Sequence, residues 1–218
     1  MSAGADMNSL PESKGWTWKR VWDLPVRLFH WLLVICVCAS WYIGDNRSFD
    51  NIQWHFYLGY CVGGLIVFRL IWGMIGPPSA RISALFYGPR SIIKYARTTL
   101  RRSPSGTAGH NPLGSWSVIA LLTSLALQVI TGLFAYDDGL FSGGPLTVYV
   151  SEAAVLQMNY IHGINANILL ALVTLHVFAA FFYLFWKREN LISAMITGRK
   201  LVRINQDDIT ADKSGKSE

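Results

Sequence analysis

Four of the five histidines, His30, His55, His162 and His176, fall inside stretches otherwise built of Leu, Val, Ile, Phe and Trp. An ionisable group in apolar surroundings is costly, so its presence marks a task such as hydrogen bonding, proton relay or metal ligation. His162 and His176 stand 14 residues apart. On a helix turning ~100° and rising ~1.5 Å per residue, they return to within roughly 40° of one face and lie ~21 Å apart. Two stacked sites on one helix face follow, and each needs a partner from another element.

The elements that must supply those partners are apolar spans. Of the 218 residues, 52% are hydrophobic and only 15% charged, against roughly 25% charged in soluble domains, and the mean hydropathy is +0.32. Four apolar runs occupy about 26–43, 53–75, 113–136 and 160–186. They stop at Gly44-Asp45-Asn46, Gly76-Pro77-Pro78, Asp137-Asp138-Gly139 and Lys187-Arg188, all turn-forming or charged sequences. At ~1.5 Å per residue each covers or nearly covers a hydrocarbon core of ~30 Å. The expected fold is therefore an all-α membrane protein, a four-helix transmembrane bundle spanning 21–197, with polar tails at 1–20 and 198–218 and no separate catalytic domain. The start of the chain has no basic-then-apolar leader pattern and reads as a short cytosolic tail.

Charge sets the expected orientation. The net charge of +6 avoids the spans, which argues against nucleic acid as partner. The connection 76–112 holds Arg81, Arg90, Lys94, Arg97, Arg101 and Arg102 without an acid, whereas 137–159 holds three acids and no Lys or Arg. The positive-inside rule then puts both termini and the basic connection in the cytoplasm. Residues 82–102 read as a basic interfacial helix on anionic headgroups, or equally as a solvated loop. Cys36, Cys38 and Cys61 all lie in spans without a CxxC pair, so they read as small hydrophobes.

Depth selects the histidine partners. Counted from the outer ends of their spans, His55 and His162 lie ~3 Å in, while His30 lies ~20 Å and His176 ~24 Å in. His55 therefore pairs with His162, and His30 with His176. For any single one of the four, packing or proton relay competes; pairing of all four by depth argues for ligation. Two facing imidazoles in an apolar bundle suit haem with two axial nitrogens, since no carboxylate or further histidine completes a shell for a bare ion. The absence of CxxCH points to b-type haem. With both axial positions filled, electron transfer is the expected chemistry, and two centres at different depths give a path across the membrane.

Several motifs carry a resemblance. Trp22-Asp23-Leu24-Pro25-Val26-Arg27-Leu28-Phe29-His30-Trp31, His55-x-x-x-Gly59-Tyr60, Arg69-x-x-Trp72-Gly73, His110-Asn111-Pro112-Leu113-Gly114, and the His162 and His176 pair of the last span are together similar to bacterial cytochrome b561 proteins and to b-type cytochrome subunits of nickel-iron hydrogenases. The match covers about 21–197. It implies a two-haem cytochrome of the bacterial inner membrane with His30, His55, His162 and His176 as ligands, exchanging electrons with the quinone pool. The partner expected on the other side is a periplasmic redox protein such as a c-type cytochrome or a hydrogenase-like subunit. Arg27 and Arg69 are candidates to pair with haem propionates, with snorkelling to headgroups as the alternative. His110 is a candidate for a quinone headgroup or a propionate, or a plain loop residue. Gly59, Gly63 and Gly64 would admit a flat macrocycle or a neighbouring helix, and Gln128 and Thr131 are expected to bond within the bundle. Two other functions compete. Superoxide oxidation at an outer haem would want a positive outer face, yet the outer connections carry five acids and one Arg. A haem-free anchor or transporter would be colourless.

Overall fold

The structure is a computed structural model that describes residues 16–99 and 111–203. Four long helices form the bundle. The first, α1, runs Leu24–Asp45. It starts where Asp23 accepts the Val26 N–H on Oδ1 at 3.2 Å and where Pro25 occupies a position whose N–H would be unpaired anyway. The second, α2 (Ile52–Ile75), ends at Gly76-Pro77-Pro78, the Gly76 N–H closing on the Trp72 carbonyl at 2.8 Å. A single 3-10 turn at Ile82–Leu85 and the short helix α3 (Pro89–Thr99) follow. Then comes α4 (Pro112–Phe134), begun by the Asn111 side chain, which accepts the Gly114 N–H at 2.8 Å. The last long helix, α5, runs Glu152–Phe185 and is 34 residues long.

That length exceeds the expected span. Thr147–Tyr149 is a 3-10 turn, and everything from Glu152 is continuous with the span. Ser151 caps α5, and no Gly or Pro interrupts the chain between it and His162. At ~1.5 Å per residue α5 reaches ~51 Å, well beyond the hydrocarbon. Between α4 and α5 two short strands, β2 (Tyr136–Asp137) and β3 (Ser142–Gly143), pair antiparallel. In the basic connection, α3 takes part of 82–102 and presents Arg90, Lys94 and Arg97 to the outside; residues 100–102 lie outside the described residues.

The ends of the described chain contribute order that their composition does not announce. Strand β1 (Trp16–Arg20) pairs antiparallel with β4 (Arg199–Arg203), Trp18 opposite Leu201 and Arg20 opposite Arg199. Both ends therefore lie at one end of the bundle. The short helix α6 (Leu191–Thr197) leads into β4 through Gly198, whose φ of 79° places it in the left-handed region. The Gly198 carbonyl receives the Val21 and Trp22 N–H groups at 2.9 and 3.3 Å. A buried cluster of Val21, Trp22, Val26, Ala80 and Ala194 sits beneath.

Within the bundle, α1 packs on α2, α4 on α5, and α2 on α4, while α5 is not closely packed on α1 or α2. The central core is Val62 and Ile66 of α2, Leu125 of α4 and Leu169 of α5, with Leu33 and Val37 of α1 against them. Most other span residues, Ile35, Val67, Leu175 and Phe178 among them, face outward, as hydrocarbon requires.

Asp23 does two jobs here, since its Oδ2 also accepts the Trp72 indole N–H at 2.7 Å and so ties the start of α1 to the end of α2. Asp23→Ala should lower stability by about 2 kcal/mol, from the lost cap and the orphaned indole. Asp23→Asn, which keeps the cap, should recover about half. Thermal unfolding in detergent measures both.

Candidate functional site

The structure brings the four span histidines together in two pairs. The His55 and His162 ring centroids are 6.2 Å apart, and those of His30 and His176 are 6.4 Å apart. Each pair joins α5 to a different helix: His55 comes from the first turn of α2, and His30 from the second turn of α1. These are the partners that depth selects.

The His55–His162 pair, named outer after the orientation that the charge pattern predicts, has its tautomers and ring positions set by hydrogen bonds. The Nδ1 of His55 lies 2.9 Å from the Ser40 carbonyl and 3.2 Å from its hydroxyl. A carbonyl only accepts, so Nδ1 carries the proton. The Thr131 hydroxyl donates to the Leu127 carbonyl at 2.7 Å, which leaves its oxygen to accept the Nδ1 proton of His162 at 3.1 Å. Both rings are thus Nδ1–H tautomers with a free lone pair on Nε2, the arrangement a metal-binding imidazole needs. Two glycines make room for them. A Cβ on Gly44 would meet His55 Cε1 at 3.0 Å, and one on Gly132 would meet His162 Cε1 at 3.0 Å.

A haem fits these separations. Two metal–imidazole bonds of ~2 Å, plus the ~1.1 Å from each nitrogen to its ring centre, put two trans imidazole centroids ~6.3 Å apart. A Cβ on Gly59, one turn along α2 from His55, would meet nothing within 4 Å. Gly63 serves the helix interface instead, its Cβ position lying 3.2 Å from Val129 Cγ1. Among the described residues no group of three or more His, Cys, Asp or Glu gathers as a shell for a bare ion.

The inner pair is less self-contained. His30 Nδ1 is buried without a hydrogen-bond partner, and so is Arg27 Nε, one turn earlier on α1. Arg69 is buried, only 5% exposed, and does not snorkel: its Nη1 donates to the Ala80 carbonyl at 2.9 Å, bracing the chain where it turns back after α2. His110 lies outside the described residues. Between the pairs, Leu169 stands seven residues from both His162 and His176, level with Val62 and Val37, so an apolar layer separates the two sites.

Sequence reasoning missed Ser40, Gly44 and Gly132. Gly44 reads as a turn residue closing the first span, but it lies in the last turn of α1 and seats the His55 ring. A small or hydroxyl residue near the outer depth of a neighbouring span was the only available signal. Gln128 and Thr131 do bond within the bundle, in a polar ladder between α4 and α5. Asn165 Nδ2 donates to the Ser124 carbonyl at 2.9 Å and to Gln128 Oε1 at 2.6 Å, while Ser124 Oγ donates to Asn165 Oδ1 at 3.0 Å and Gln128 Nε2 to the His162 carbonyl at 3.2 Å.

Residues 21–198 match the family model described as prokaryotic cytochrome b561. A probable Ni/Fe-hydrogenase B-type cytochrome subunit of Rhizobium leguminosarum bv. viciae is 24% identical over 222 residues, covering 86% of this chain and 90% of that protein. The corresponding proteins of Cupriavidus necator and of Escherichia coli strain K12, the latter a hydrogenase 1 subunit, are each 23% identical. They cover 90% and 82% of this chain, and 93% and 88% of their own lengths.

Asn165→Leu should weaken the α4–α5 contact by about 1–2 kcal/mol, since intramembrane hydrogen bonds are each worth roughly 0.6 kcal/mol. Adding Gln128→Leu should cost less than it does alone, because the two share one ladder. Unfolding in mixed detergent micelles of the parent, the two single variants and the double variant reads both effects.

Proposed function

The chain belongs to the prokaryotic cytochrome b561 family, and on that premise we propose that it carries electrons across the membrane between a periplasmic redox protein and the quinone pool. As a member it is a multi-pass b-type cytochrome of the bacterial inner membrane that acts in electron transfer. The finer reading assigns two b haems, one held by His55 and His162 and the other by His30 and His176. The single observation that carries it is the near-equal separation of the two imidazole pairs, 6.2 and 6.4 Å.

When bound, each haem supplies a reversible one-electron iron couple. The chain's own residues do the rest. The two imidazoles of each pair would hold one haem, and with both given to its iron no ligand place would be left for oxygen. Ser40 and Thr131 hold the outer imidazoles by their Nδ1 protons, which orients the rings and makes them stronger donors. The Val37, Val62, Leu125 and Leu169 layer keeps water from the path between the sites. Arg27, with its buried and unpartnered Nε, is the proposed partner of an inner propionate. Arg69 has one nitrogen committed to Ala80 and offers the others to the same charge. The excess of basic residues in 76–112 supports the cytoplasmic placement of both ends and of that connection.

Purified protein should contain close to two b haems per chain, low-spin in both redox states. A pyridine haemochrome assay that returns one would remove the stacked-pair reading. His55→Ala and His162→Ala should delete the same haem and give one shared residual spectrum, while His30→Ala and His176→Ala give a second. If His55→Ala matched His30→Ala instead, the assignment would be wrong.

Thr131→Val tests the supporting hydrogen bond. Losing the acceptor makes the His162 imidazole a weaker donor, which destabilises the oxidised iron, so the outer midpoint potential should rise. The inner potential should stay put in the same redox titration.

A further inference from the structure

Among the described residues, the three most exposed large apolar side chains are not on the lipid-facing spans. They are Phe141, Val148 and Tyr149, at 81%, 80% and 79%, and all lie in the connection between α4 and α5. This segment is at the end of the bundle away from the β1–β4 sheet, and it is held firmly. Asn159 clamps Tyr136 by both backbone groups, at 2.9 and 2.8 Å. Asp137 Oδ1 accepts the Gly139 and Leu140 N–H groups at 3.0 and 3.2 Å, and the Gly144 and Leu146 N–H groups return to Ala135 and Leu133 at 2.8 and 3.0 Å. On this built loop Phe141 has a φ of 45°, in the left-handed region that an aromatic residue rarely enters. The backbone is strained to set an exposed ring outward.

Carboxylates share this end of the bundle with the three apolar side chains. Asp45, Asp50, Asp138 and Glu152 are exposed at this end. The one arginine there, Arg47, is bridged to Asp137 at 2.8 Å, so this end is strongly negative. The surface also lies above the outer imidazole pair: Asn159, which anchors it, precedes His162 by three residues, or ~4.5 Å of helical rise.

We propose that Phe141, Val148 and Tyr149, together with the exposed carboxylates of the same end of the bundle, form the docking site for a water-soluble electron-transfer protein whose cofactor edge is ringed by lysines. The proposal rests on the electron-transfer reading above and adds to it the surface and the chemistry of the partner. Apolar anchors accompanied by charged side chains are the usual build of a protein interface. The negative charge steers a basic partner and repels anionic lipid headgroups, which disfavours burial of the same rings in the bilayer. One electron crosses per encounter, lost by the donor's cofactor and gained by the outer site, with no proton moved and no bond changed.

The test uses the full haem-loaded chain in nanodiscs of zwitterionic lipid, with a reduced lysine-rich mitochondrial cytochrome c as the probe. Stopped-flow reduction at low ionic strength should slow about tenfold in the double variant Phe141→Ser, Tyr149→Ser, the loss expected for two interface anchors. Phe86→Ser, equally apolar but at the other end of the bundle, should leave the rate unchanged. The parent rate should fall as salt rises, and Asp138→Asn with Glu152→Gln should flatten that dependence. A double-variant rate within twofold of the parent, or a parent rate indifferent to salt, overturns the docking site. So does a nitroxide at Val148→Cys, in a background lacking the three native cysteines, that is relaxed by oxygen more than by a water-soluble nickel chelate, since that puts the patch in lipid. Dithionite reduction of each variant separates the two readings: absence of a b-haem spectrum in the parent defeats the electron-transfer reading, whereas normal haem reduction with an unaltered rate defeats the docking site alone.

Discussion

Everything in this bundle answers to one constraint: an imidazole in hydrocarbon needs a partner for each ring nitrogen. The outer pair meets it on the Nδ1 side through Ser40 and Thr131, which leaves the Nε2 atoms open for a further partner. The rest of the helix arrangement follows from serving that geometry. Helix α4 carries no histidine, yet it provides Thr131, Gly132 and the Asn165 ladder that fix where α5 stands. Helix α1 provides both His30 and, two turns from its end, the Ser40 carbonyl that holds His55. Each helix therefore either presents a ring or holds another helix's ring in place.

The energetic logic differs between the two ends. Toward the outer end, polar groups inside the spans find protein partners: Ser124, Gln128, Asn165 and His162 form one hydrogen-bonded ladder, and an unmatched amide there would be expensive. Toward the end that carries the β1–β4 sheet, cohesion comes from the strand pairing, the Asp23 bridge between Val26 and Trp72, and the buried Lys200–Glu189 ion pair at 2.5 Å. The Tyr183 hydroxyl, two turns beyond His176, meets Tyr95 of α3 and the Asn111 side chain at 2.9 Å each, which docks the amphipathic helix against the span.

Much of this was legible in the chain itself. Spans could be read because hydrocarbon excludes charge, and the histidine partners because helical rise converts sequence position into depth. What escaped depended on distant segments meeting. Trp16–Arg20 has no strand signature strong enough to stand alone and becomes a strand only when Arg199–Arg203 is brought beside it. Gly44 looks like punctuation until His55 is placed against it. Arg69 looks like a snorkelling cation until Pro77-Pro78 folds the chain back and offers the Ala80 carbonyl. The early start of α5 depended on the absence of a breaker after Ser151, a weaker signal than the hydropathy drop that suggested a boundary near Tyr160.

The contrast between the two imidazole pairs bears on how the protein is put together. The outer Nδ1 groups are satisfied by the polypeptide alone, so the orientation of those rings is set before anything binds. At the inner pair, Arg27 Nε and His30 Nδ1 are buried and unmatched on successive turns of α1, which costs stability as long as nothing answers them. If a propionate-bearing haem is the group that answers Arg27, part of its binding energy is returned as stability of the α1 start, the Gly198 corner and the strand pair packed on it. Arg27 Nη1 lies 2.7 Å from where a Cβ on Gly198 would stand, so the guanidinium, the corner and the strand pair are one packed unit. Loading of the inner site and closure of the terminal sheet are on this reading coupled, whereas loading of the outer site depends on the α4–α5 ladder and not on the chain ends.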